Sequence, residues 1–169
     1  MKLFLFKEEE RIVNEIAARL RASSSAHYHI MEMIDLRPRM RALFEAYRES
    51  AIYGDSRFIA DFVCSIGRKR LQQEYSLEEL QLVLNALASA VWEAAAAAFK
   101  SRGAEAFEDL HRLSEAALWS KDCLAGVYAE EMKKERIAFG KLNKAFSEYL
   151  EMRHTDHESR PNDEKEESH

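Results

Sequence analysis

SLEELQLVLNALASAVWEAAAAAF, residues 76–99, decides the fold. Ser76-Leu77-Glu78-Glu79 is a capping box: the Ser76 hydroxyl and the Glu79 carboxylate each satisfy an amide donor that a helix start leaves free. Leu80, Leu84, Leu87 and Val91 then recur at steps of three and four, which places them on one helical face. Residues 94–98 are all alanine, with high helix propensity and no bulk, so a neighbouring backbone can approach there. Gly103 supplies the stop.

The same spacing extends in both directions. Ile12, Val13, Ile16, Ala17 and Leu20 share a face ahead of the break at Ser23-Ser24-Ser25. A short piece with Tyr28, Met31, Met33 and Ile34 follows. Asp35 is then the expected cap of the next helix, with Pro38 in its first turn. That helix carries Met40, Leu43, Phe44, Tyr47 and Ala51 and stops at Gly54. Asp55 or Ser56 caps another, bearing Phe58, Ile59, Phe62, Val63 and Ile66. From Ala104 a very long pattern runs through Phe107, Leu110, Ala117, Leu124 and Tyr128 towards Ile137, with Gly126 and Gly140 as weak points. A last segment, 142–150, carries Phe146 and Tyr149.

Five glycines and two prolines in 169 residues are too few for the turns of a sheet of short strands. The expectation is an all-α, single-domain bundle of roughly six or seven helices over residues 1–152, with a globin-like arrangement among its forms. Residues 151–169 hold seven acids against three bases, a net of −4 out of the chain's −5, with no apolar residue after Met152 except Pro161. Residues 153–169 therefore read as a disordered acidic tail. The acidic balance argues against nucleic acid as a partner. Basic clusters at Arg37-Pro38-Arg39-Met40-Arg41 and Arg68-Lys69-Arg70 read as solvated faces. The N-terminal apolar run is too short for a signal-peptide core. The longest uninterrupted apolar stretch, 94–99, falls short of a membrane span. Cys64 and Cys123 lack metal or redox spacing and read as buried free thiols, so the expected location is the cytoplasm.

Candidates for chemistry are few. Glu108-x-x-His111 and Glu151-x-x-His154 match half of a di-iron carboxylate set, in which each helical Glu-x-x-His puts two ligands on one face. Their places, at a helix start and at the polar tail, count against a metal site. His111 alone is the candidate axial ligand of a haem-binding alternative. His27 and His29, at i and i+2, diverge on a helix and read as part of a solvated linker. Trp92, Glu93 and Trp119 are the candidate lining of a small-molecule pocket. No nucleophile–base arrangement is present, so neither catalysis nor a cofactor is expected.

Residues 43–92 have a further cadence: Leu-Phe-Glu-Ala-Tyr-Arg-Glu-Ser, then Gly54-Asp55, Phe58-Ile59-Ala60-Asp61-Phe62, Arg68-x-Arg70, Tyr75-Ser76-Leu77-Glu78-Glu79-Leu80 and Leu84-x-x-Leu87. It resembles the N-terminal helical domain of RsbR-type co-antagonists of the RsbT kinase, similar domains of which precede sensor kinases and PucR-like regulators. The resemblance spans about residues 8–139. It implies a non-catalytic input module, often dimeric, that passes a signal along a C-terminal helix to an output domain. No such output domain follows here, so a protein partner in a signalling pathway is expected. The unusual length of the last helix adds the expectation of a homodimer, with Leu124, Val127, Tyr128 and Met132 at the contact.

Overall fold

The computed structural model describes residues 1–100 and 102–158, with the side chains of residues 105 and 149–158 excepted. The described residues hold five α-helices and no strand: α1 (Lys2–Arg21), α2 (Met33–Tyr53), α3 (Arg57–Gln72), α4 (Leu77–Phe99) and α5 (Ala106–Glu158), with a single 3-10 turn at Gly103–Glu105. The all-helical class stands. The count is below the six or seven expected, because neither the short piece around Tyr28–Met31 nor the 142–150 segment is a helix of its own. The helix α5 runs unbroken through Gly126 and Gly140, and the 142–150 segment is part of it. A helical glycine costs about 1 kcal/mol relative to alanine, too little to stop a helix by itself. The same helix includes 153–158, the beginning of the expected tail; residues 159–169 lie outside the described residues.

The chain divides into two compact units, Met1–Ala129 and a second that begins at Glu130. In the first, α1 packs against both α2 and α4, and α2 against α3. Leu5, Ile12, Ile16, Leu20, Phe44, Leu87 and Val91 are fully buried at these contacts. Burying each such side chain contributes roughly 1.5–3 kcal/mol. Ala94 and Ala95 are buried as well, where small side chains allow close helix approach. The helix α4 is, by length and composition, apolar enough to cross a membrane, which corrects the reading of that stretch: its most apolar window has a mean hydropathy of 1.6. Half of that window is buried inside the bundle, so core packing accounts for its apolarity.

The capping box forms as read: Glu79 N–H donates to Ser76 Oγ at 3.2 Å and Ser76 N–H to Glu79 Oε2 at 3.0 Å. Gly54 ends α2 at φ 63°, a left-handed conformation that glycine adopts without steric cost. The start of α2 is different from the reading. Its cap is Glu32, not Asp35, and Pro38 sits inside the helix beyond the first turn.

The segment of α5 up to Ala129 is seated on α2 and α3. Tyr47, buried on α2, donates its hydroxyl to the Leu113 carbonyl at 2.5 Å, and burial pushes that phenol well above its ordinary value. On α3, Gly67 approaches Leu124 and Val127 closely enough that an added Cβ would stand 3.5 and 3.7 Å from them. Beside this crossing Cys64 and Cys123 form a disulfide, with Cα atoms 6.0 Å apart. The free-thiol reading is thus corrected, and the step from free thiols to a reducing compartment loses its premise. The two cysteines are 59 residues apart, and only the α3–α5 crossing brings them together.

Removing this cross-link is expected to lower stability by roughly 2–4 kcal/mol. Thermal or urea unfolding of Cys64→Ser and Cys123→Ser measures it. Thiol titration of the denatured, unreduced chain should find no free sulfhydryl, and a count of two would overturn the pairing.

Candidate functional site

The linker between α1 and α2 is anchored at the start of α4. Ser25 Oγ donates to Glu79 Oε1 at 2.5 Å, His27 N–H donates to the same oxygen at 3.0 Å, and His27 Nδ1 lies 2.9 Å from Oε2. With the Ser76 amide, one carboxylate joins a helix cap to a loop more than fifty residues away. Burial opposes charge on Glu79, but the bonds from Ser25, from the His27 and Ser76 amides and from the His27 ring outweigh it, holding the group down at about 2. The His27 ring stacks on Tyr75 at 3.9 Å, and Tyr28 meets the same ring at 5.4 Å. His29 Nδ1 is 2.7 Å from the Ser25 carbonyl. This is not the solvated linker expected around His27 and His29. Serine side chains and a distant glutamate satisfy its polar groups.

The anchored loop places Tyr28 on the wall of a cavity of about 340 Å³. Its other walls come from α2 (Met40, Leu43), α3 (Phe62, Val63), α4 (Val83, Leu84) and α5 (Leu124) and are almost wholly hydrocarbon. The volume falls at the lower end of the range of small-molecule sites, roughly 300–1,000 Å³. Arg39 and Arg70 join the lining. Burial pushes the Tyr28 hydroxyl up to about 12, with the positive charges of Arg70 and Arg39 pulling the other way. Arg70 is held by the Tyr75 hydroxyl at 3.1 Å and lies over the Tyr75 ring.

Arg39 differs from its neighbours. Arg37 and Arg41 reach across to Glu10 on α1, and Arg41 also faces Glu9. Arg39 has no ion pair or hydrogen bond among the described residues, and its side chain lines the cavity. The cluster read as one solvated face is in fact split between an inter-helix ion-pair network and this cavity.

Of the candidate site and contact residues named from sequence, Leu124 alone lines the cavity among the described residues; the others that line it were read only as core or as basic clusters. Trp92 is exposed, Glu93 pairs with Arg19 at 2.6 Å on the surface, and Trp119 is partly buried against the core. They do not converge. His111 is exposed on α5, its ring 3.7 Å from Glu115 of the same helix, so it does not sit in a haem-sized cavity. No group of three or more metal-ligating side chains occurs among the described residues, and the side chains of Glu151 and His154 lie outside them. Leu124 and Val127 are buried within their own chain. They are thereby withdrawn from the expected contact between copies, leaving the partly exposed Tyr128 and the exposed Met132. Comparison with family models, with curated proteins and with solved structures returns no match for this chain.

Replacing Glu79 by Gln leaves these donors poorly matched and is expected to cost roughly 1–3 kcal/mol at neutral pH. The folded carboxylate titrates below its ordinary 4.5, so its contribution is complete above that value and is lost as pH falls towards about 2. Acid unfolding curves of the parent chain and the variant should therefore converge over that interval. A constant gap between them would show that Glu79 acts other than through its charge.

Proposed function

We propose that the protein is a non-catalytic regulatory module that works as a homodimer and passes a signal to a protein partner. The observation that carries the reading is the apolar stripe on α5 beyond Ala129. Met132, Phe139, Leu142 and Phe146 are 38–66% exposed, on a helical stretch in which residues 132–148 are all exposed. Their steps of seven, three and four residues are the a and d positions of a heptad, the pattern by which two helices cover each other's apolar seam. On that register Glu131 is at g and Arg136 at e. In a parallel pair, Glu131 of one copy faces Arg136 of the other, an arrangement of complementary charge. Glu135 occupies the intervening d position and is the polar break between Met132 and Phe146.

A second copy is the occupant that the pattern favours, since a heptad seam is self-complementary. The cadence shared with RsbR-type input domains supports the same reading, because a paired C-terminal helix is the natural route from such a bundle to an output protein. The supporting features are thus a bundle in the first unit and a seam in the second. The partner that receives the signal is a protein surface matched to the dimer.

Light scattering coupled to size exclusion should give the mass of a dimer at micromolar concentration. Phe139→Glu places a charge in the seam and should yield monomer with the helical circular dichroism of the first unit retained. Glu135→Leu should shift the equilibrium further towards dimer. A monomeric parent chain, or a dimer indifferent to both changes, would overturn the proposal.

A further inference from the structure

The cavity bounded by α2, α3, α4, α5 and Tyr28 combines three features that a structural void does not need. Its walls are hydrocarbon over nearly all their extent, its volume is that of a small ligand site, and its polar groups are all of one kind. Arg39 and Arg70 are fixed cations, and the Tyr28 hydroxyl is a donor with no hydrogen-bond partner among the described residues. No carboxylate lines the cavity among the described residues. In a chain of net charge −5, where Arg37 and Arg41 both find glutamates on α1, an unpaired arginine at the edge of an apolar cavity marks a place for an anion. A planar guanidinium matches a carboxylate through two parallel hydrogen bonds.

We propose that this cavity binds an amphipathic carboxylate, a medium-chain fatty acid, with its alkyl chain among Met40, Phe62, Val63 and Val83 and its carboxylate on Arg39 and the Tyr28 hydroxyl. Arg70, already held by Tyr75, contributes its charge from the cavity wall. The exposed position of Arg39 puts the head group at the solvent side and leaves the chain to fill the apolar interior. A neutral alcohol of the same length gains the apolar contacts alone. An alkylammonium meets two like charges. The site so described stands independently of the dimer, because every group in it belongs to the first unit.

The test is calorimetric titration of the full chain with decanoate, 1-decanol and decylammonium below their aggregation limits. Decanoate should bind at a single saturable site, decanol at least tenfold more weakly, and decylammonium not measurably. Arg39 is exposed, so Arg39→Gln should keep the fold, as circular dichroism would verify. It should weaken decanoate roughly tenfold or more while leaving decanol unchanged. Ala42→Trp fills the cavity from α2 and should abolish both. Intermolecular NMR contacts between the alkyl protons and the Tyr28 ring should place the chain inside. Equal binding of decanoate and decanol, indifference to Arg39→Gln, or non-saturable uptake at many sites would each overturn the assignment.

Discussion

One carboxylate sets the geometry of the first unit. Glu79 closes the capping box that begins α4 and, with its remaining lone pairs, binds the Ser25–His27 stretch of the linker. A buried carboxylate is costly unless donors surround it, and here two amides, a hydroxyl and an imidazole do so. The consequence is that the linker is tied to the start of α4. Without it, Tyr28 and its stack with Tyr75 and His27 would have no fixed position, and the cavity would lack one wall. A single interaction thus converts a turn between two helices into part of a site.

Charge is distributed with the same economy. The acids at Glu9 and Glu10 on α1 take up Arg37, Arg41 and Arg48 from α2, so the α1–α2 contact is an apolar seam edged by ion pairs. The Glu10 pairs with Arg37 and Arg41 are exposed and contribute little to stability, typically under about 1 kcal/mol each, whereas the Arg48–Glu9 pair is largely buried. Their effect is to set orientation. With Arg37 and Arg41 turned towards α1, Arg39 falls on a different face of α2, beside the cavity. The arrangement that fixes one helix against another also leaves Arg39 without an ion pair among the described residues.

Much of the helical framework was legible because it rests on local chemistry. The capping box at Ser76 and Glu79, the left-handed stop at Gly54 and the three-four spacing of the core residues all depend on neighbours within a turn or two. The errors have one physical origin, which is that sequence spacing names a face without naming what meets it. Leu124 and Val127 read as a surface for a second copy, yet α3 covers them where Gly67 removes the bulk. Cys64 and Cys123 are remote along the chain and adjacent only across that crossing. The cavity draws on four helices and a loop, and no run of sequence holds it. Glu79 was visible as a cap, but the second half of its hydrogen bonding, to Ser25 and His27, lies beyond local reading. Pro38 drew the start of α2 too late, because a proline is most at home in the first turn, whereas here it stands two residues past it.

The Cys64–Cys123 bond has a mechanical corollary. It ties α3 to α5 next to Val63 on one side and Leu124 on the other, two residues that share the cavity wall. That side of the chamber cannot splay to admit a bulkier guest, so any widening must come from α2 or α4. For the slender carboxylate proposed for this cavity, the bond would limit girth without touching the molecule itself.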